Sequence, residues 1–125
     1  MKIIGIDFGS KRVGVAVADT EAGIAFPKAV LPNDKFLLGE LKNITKGARC
    51  IVFGESRDLQ GKENSIFAEA DNFKKLLERE TGIDVFYEPE FYTTYGASRI
   101  QGDHDKIDAS AAAIILQSYL DKNKK

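Results

Sequence analysis

The chain has 125 residues, 43% hydrophobic and 30% charged, with a formal net charge of −1 at pH 7. That length suits one domain, residues 1–125, able to bury a core without disulfides or metal staples, and the near-neutral balance excludes a protein held to nucleic acid by bulk charge. No apolar run approaches the ~20 residues of a membrane span, and the start lacks a basic segment followed by an apolar one, so the expectation is a cytoplasmic protein with no membrane partner.

The opening run, Met1 to Asp19, is apolar and broken once by Asp7. Ile3, Ile4, Ile6 and Phe8 are strand formers and Val13, Val15 and Val17 repeat with period two, so a hairpin is predicted with its turn at Ser10-Lys11-Arg12. Glycines at 5, 9 and 14 remove side chains around Asp7 and admit another backbone or a ligand. Gly23 to Pro27 and Ala29 to Leu31 read as a third strand that Pro27 confines to an edge or to its own end. Asn33 is placed to cap a helix through Leu37, Leu41 and Ile44, ended by Gly47. Cys50 to Gly54 reads as a parallel strand buried on both faces, and Cys50, the only cysteine, as a small buried hydrophobe. Residues 55–64 form a polar loop at the end of that strand, where open α/β sheets commonly keep function. Ser65 suits the start of a helix with Ile66, Ala70, Phe73 and Leu77 on one stripe, closed by Thr81-Gly82. A fifth strand follows over Ile83–Tyr87, then a short helix through Ala97 and Ile100. The last helix starts near Ile107 with Asp108, Ala112, Ile115 and Tyr119 on one face, and the tail from Asp121 reads as a frayed end. The layout is βββαβαβα: an α/β mixed five-stranded sheet with helices on its faces.

The carboxylates fall where such sheets keep their sites: Asp7 in the first strand, Glu55 after the fourth, Glu88 or Glu90 after the fifth, and Asp108 heading the last helix. Like charges gathered together need a cation. With oxygen donors alone the natural one is hard, Mg²⁺ or Mn²⁺, and a pair of ions ~3.5–4 Å apart suits phosphodiester hydrolysis. Each acid also has a plainer reading. Asp7 suits a turn-capping role, although its apolar neighbours favour a site; Glu90 and Asp108 suit first helical turns; Glu88 reads as a solvated strand end and Glu55 as an exposed loop acid. Lys11 and Arg12 read either as a solvated turn or as a hold on phosphates beside Asp7. Phe91, Tyr92 and Tyr95 read as core or as base-stacking groups, and His104 as exposed in a Gly/Asp loop.

The segment GIDFGSKRVGVAVAD resembles the signature G-x-D-x-G-x-K-R-x-G-V-A-x-x-D of the YqgF family, the bacterial RuvX or Holliday-junction-resolvase-like proteins. Pro89-Glu90-Phe91-Tyr92-Thr93-Thr94 is similar to that family's D-E-R-x-T-T, and Asp108-Ala-Ser-Ala-Ala with Ile115 to Leu120 to its ending. The resemblance implies an RNase H-like fold with helices on both faces and carries catalytic acids onto Asp7, Glu90 and Asp108. It adds Glu55 as a metal ligand, since related resolvases keep an acid at that strand end. It implies Mg²⁺ or Mn²⁺, a pair of ions, and a nuclease that matures the 5′ end of 16S rRNA, acting on precursor rRNA as a monomer or weak homodimer, with Lys11 and Arg12 on the substrate backbone. Cleavage of four-way DNA junctions and a non-catalytic nucleic-acid-binding, ribosome-assembly module are the alternatives. The chain departs from the pattern at Pro89 and Phe91, where the family has Asp and Arg, and in the short acidic stretch before Asp108.

Overall fold

The computed structural model describes residues 1–55, 65–89 and 104–122, with residues 55, 65–67, 89 and 104–110 described by backbone alone. Strands β1 (Lys2–Phe8) and β2 (Arg12–Asp19) form the expected hairpin, and β3 (Ile24–Pro32) continues it antiparallel. Strand β4 (Ala48–Glu55) runs parallel to β1, and β5 (Val85–Pro89) parallel to β4. The sheet order is β3-β2-β1-β4-β5, so the hairpin's first strand lies at the centre. Helix α1 (Leu37–Ile44) precedes β4, α2 (Ser65–Thr81) follows it, and α3 (His104–Lys122) ends the described chain. The mixed five-stranded sheet read from the sequence is what forms. Among the described residues no helix is long and apolar enough to cross a membrane.

Period-two alternation divides the core between the two faces. Ile4, Ile6, Phe8, Val13, Val15, Ile51 and Phe53 pack with Leu37, Leu41, Ala70 and Leu77 of α1 and α2. Ile3, Ala16, Ala18, Cys50 and Val52 pack with Ala112, Ile115 and Leu116 of α3. Helices therefore cover both faces, and each fully buried aliphatic side chain contributes about 1.5–3 kcal/mol. Pro27 sits on the edge strand as its missing N–H requires. The β2–β3 register shifts between Val15 and Ala16, whose partners are Ala29 and Pro27, and Lys28 is the extra residue of that bulge.

Three local expectations change. Asn33 does not cap α1: the cap position is Phe36 without a side-chain bond, and Asp34 Oδ1 instead accepts the Phe36 amide at 2.9 Å. The fifth strand begins at Val85, two residues later than the apolar run suggests, because Ile83 belongs to the helix exit, where its amide bonds Thr81 Oγ1 at 3.1 Å. His104 opens α3 rather than standing in a loop, and at the other end Lys122 is still helical, so the fraying expected from Asp121 onward does not begin there.

Candidate functional site

Asp7 is half-buried and sits opposite Gly14 on β2. It follows Ile3 and Gly5 in the row of β1 that faces α3. On the other face the strand is held by Phe8, whose ring lies 6.3 Å from that of Phe53 and 5.4 Å from that of Phe73. The carboxylate thus stands on a strand fixed from behind by an aromatic floor.

The turn after Asp7 is equally constrained. The Gly9 amide donates to the Arg12 carbonyl at 3.0 Å, and a Cβ on Gly9 would lie 2.6 Å from that oxygen, which only glycine avoids. Asn33 clamps the turn from outside: its side-chain amide donates to the Gly9 carbonyl at 2.7 Å, and its backbone amide to the Lys11 carbonyl at 2.9 Å. Lys11 and Arg12 are exposed beside Asp7, at the same end of the sheet. The residue read as a helix cap is therefore what fixes the two candidate phosphate contacts.

Helix α3 meets β1 at Gly5. A Cβ there would lie 2.7 Å from Leu116 Cβ and 3.0 Å from the Ala112 carbonyl oxygen. Asp108 lies one turn before Ala112 on α3, with its side chain outside the described residues, and Asp7 lies two residues beyond Gly5 on β1. The backbones bearing these two acids therefore touch within about one helical turn, 5.4 Å, and one strand repeat, roughly 6.6 Å, of each acid. Glu55 is the last residue of β4, paired with Pro89, and its side chain also lies outside the described residues. Glu90, Phe91, Tyr92, Tyr95 and the expected helix through Ala97 and Ile100 all fall outside them.

Glu88 overturns its reading as a solvated end. It is 4% exposed and accepts the Ser118 hydroxyl at 2.8 Å and the Lys122 ammonium at 2.7 Å. It pairs with Gly54, while Ile6 pairs with Phe53, so Asp7, Gly54 and Glu88 form one row across the α3 face. Two strand spacings, about 9.6 Å, separate Asp7 from Glu88, with glycine between them. Sequence reasoning left this acid at a solvated end because it closed the strand at Tyr87, whereas β5 runs on to Pro89. The usable signal was Phe86 and Glu88 in one row, with Phe86 stacked on Tyr119 of α3.

Cys50 is 6% exposed, and burial pushes its thiol pKa up. It remains a protonated thiol near Tyr119, as expected of a core residue.

Comparison with known proteins then decides the family. The RuvX family, described as Holliday junction resolvase, matches residues 1–122. The chain belongs to the RuvX family. RuvX relatives include a protein named "Putative pre-16S rRNA nuclease" in Lactobacillus delbrueckii subsp. bulgaricus, 31% identical over 141 residues and covering 100% of this chain and 99% of its own. One of the same name in Anaplasma marginale is 35% identical over 135 residues, covering 98% and 86%. Among solved structures, Thermus thermophilus RuvC in complex with Holliday junction substrate matches with TM-score 0.65 at 14% identity, over 96% of this chain and 94% of that one. A fowlpox virus resolvase, solved with Holliday junction DNA, matches with TM-score 0.57 at 13% identity over 100% of both. At those identities the likeness establishes the RNase H-like fold that this RuvX chain shares with RuvC.

Proposed function

We propose that this chain is a metal-dependent phosphodiesterase that matures the 5′ end of precursor 16S rRNA, acting as one nuclease domain and as a monomer or weak homodimer. Asp7, Glu90 and Asp108, joined by Glu55, would hold Mg²⁺ or Mn²⁺. The observation that carries this reading is the close approach of α3 to β1 at Gly5, which supports a shared site for Asp7 and Asp108 in a family whose relatives bear the name of pre-16S rRNA nucleases. No group of three or more His, Cys, Asp or Glu side chains is assembled among the described residues. The fit to a metal rests on the donor set, which is carboxylate oxygen throughout and suits hard ions.

When bound, such ions supply an activated water and neutralise charge building on phosphorus. The chain's own residues do the rest. Asp7 offers a carboxylate on a strand packed from behind, Asp108 rides on a helix seated against that strand, and Lys11 with Arg12, on a turn clamped by Asn33, would hold the substrate backbone. Replacing Asp7 by Asn is expected to abolish cleavage of precursor 16S rRNA in Mg²⁺ or Mn²⁺ while leaving a cooperatively folded chain. Cleavage at the parent rate would sink the assignment.

The description of the matched family favours one second reading, cleavage of four-way DNA junctions. Side-by-side turnover of precursor RNA and junction DNA by the same preparation separates the two, and binding of either without metal-dependent turnover would point to an assembly module instead.

A further inference from the structure

The segment that clamps the β1–β2 turn continues into a feature that neither the core nor the proposed acids use. Phe36 is 63% exposed although its backbone is fixed on both sides. Its amide donates to Asp34 Oδ1 at 2.9 Å, and its carbonyl accepts the Glu40 amide at 3.1 Å. The next residue, Leu37, is 1% exposed in the core beside Phe8. A ring held out into water by a rigid backbone contributes little to folding and is already ordered for a ligand. The Lys35 ammonium lies 5.3 Å from its centroid, and Lys11 is exposed on the turn that Asn33 holds.

An exposed aromatic face beside cations suits a single strand of nucleic acid, whose bases stack while its phosphates pair with ammonium groups. Asp34, the acid within this stretch, has its carboxylate engaged by the Phe36 amide. We infer that Phe36 and Lys35, with Lys11, form a stacking platform for the single-stranded part of the substrate, around the rim of the sheet from Asp7. This deepens the nuclease reading and rests on it. Two strand steps take Asp7 to Gly9, the hydrogen-bonded contact reaches Asn33, and three residues lead on to Phe36. The span along this path is on the order of 23 Å, or about seven nucleotides at the 3.4 Å spacing of a stacked strand.

Phe26 provides an internal control. It is also exposed, at 57%, but pairs with Val17 near the opposite end of the sheet. The experiment measures fluorescence anisotropy of labelled single-stranded RNA, three to twelve nucleotides long in order-of-magnitude terms of this footprint, with the full chain carrying Asp7→Asn so that the probe stays intact. Phe36→Ala is expected to weaken binding about 5- to 150-fold, the range found for losing one stacked base, and Phe36→Trp to retain it. Phe26→Ala is expected to bind as the parent does, and affinity to stop rising near seven nucleotides. Thermal midpoints of these exposed-site variants should match the parent, which excludes misfolding as the cause. If the parent binds and Phe36→Ala binds equally, or if Phe26→Ala loses as much, the platform is refuted while the nuclease reading stands. If Phe36→Ala alters only self-association, the ring belongs to an interface between copies and the inference is overturned. If the parent binds no RNA, both fall.

Discussion

Gly5→Ala isolates the contact on which the proposed site depends. The new Cβ would stand 2.7 Å from Leu116 Cβ and 3.0 Å from the Ala112 carbonyl. Carbon pairs prefer about 3.5–4.0 Å, so α3 must retreat by roughly 1 Å or the strand must bow away from it. Leu116 and Ala112 are both fully buried, leaving no slack on the far side. Overpacking of this kind costs about 1–3 kcal/mol, offset by about 0.4–1 kcal/mol from stiffening the unfolded chain, for a net loss of about 1–2 kcal/mol. At this chain length that is a fall of roughly 4–8 °C in Tm. Urea denaturation gives the stability. Cleavage measured where the variant is still folded gives the second readout: a ~1 Å shift of the helix carrying Asp108 is expected to lower the rate by about a hundredfold. A variant as stable as the parent would refute the packing argument, and one that is destabilised but cleaves normally would uncouple α3 from the chemistry.

Three further outcomes follow from other contacts. Gly39→Ala, in α1 where a Cβ meets nothing within 4 Å, should stabilise by about 0.5–1 kcal/mol in the same urea assay, and a loss would show that the helix is not as described. Lys122→Met removes the ammonium that lies 2.7 Å from the buried Glu88 carboxylate; because the Lys122 side chain is 53% exposed, the loss should fall near the low end of the usual range, about 1 kcal/mol, and Glu88→Gln in the same chain should recover much of it. Asp71 accepts the Tyr87 hydroxyl at 2.7 Å, and this bond, with Lys75, holds its carboxyl below the usual carboxylate range. A depressed folded pKa means that the native state binds fewer protons than the unfolded one, so the contribution is present above about pH 4 and lost as pH falls through the folded value. Tyr87→Phe should therefore cost under about 1 kcal/mol at pH 7, with the two urea midpoints converging as pH falls below the ordinary carboxylate range; a gap that stays constant on acidification would count against the bond.

The sheet was legible wherever side chains alternate against two helix layers. Ile4, Ile6 and Phe8 against Ile3 and Gly5, or Val13 and Val15 against Ala16 and Ala18, write both faces into local sequence. The ends of elements were not legible, because their partners are remote. Glu88 looks like a solvated strand end until Ser118 and Lys122, some thirty residues on, arrive from α3. Asn33 has the chemistry of a helix cap, yet a turn more than twenty residues earlier offers its side chain a carbonyl, and Asp34 takes over at the helix. Of the proposed site, Asp7 and the Lys11-Arg12 turn were legible from pattern alone; which acids share its face depends on register across β4, which no local periodicity encodes.

The same strand serves as centre of the core and as wall of the site, and the two demands are kept apart by face. Ile4, Ile6 and Phe8 are buried against α1 and α2, and this packing anchors the position of Asp7 without touching its carboxylate. On the opposite face side chains are thinned instead: Gly5 admits α3, and Gly54 stands in the row between Asp7 and Glu88. In the proposed site, side chains added along that face would occupy space that Asp7, Asp108 and a phosphate would share. The glycines on the α3 face and the large apolar residues behind them are thus complementary parts of one device: rigidity comes from one side of β1 so that the other side can stay accessible for chemistry.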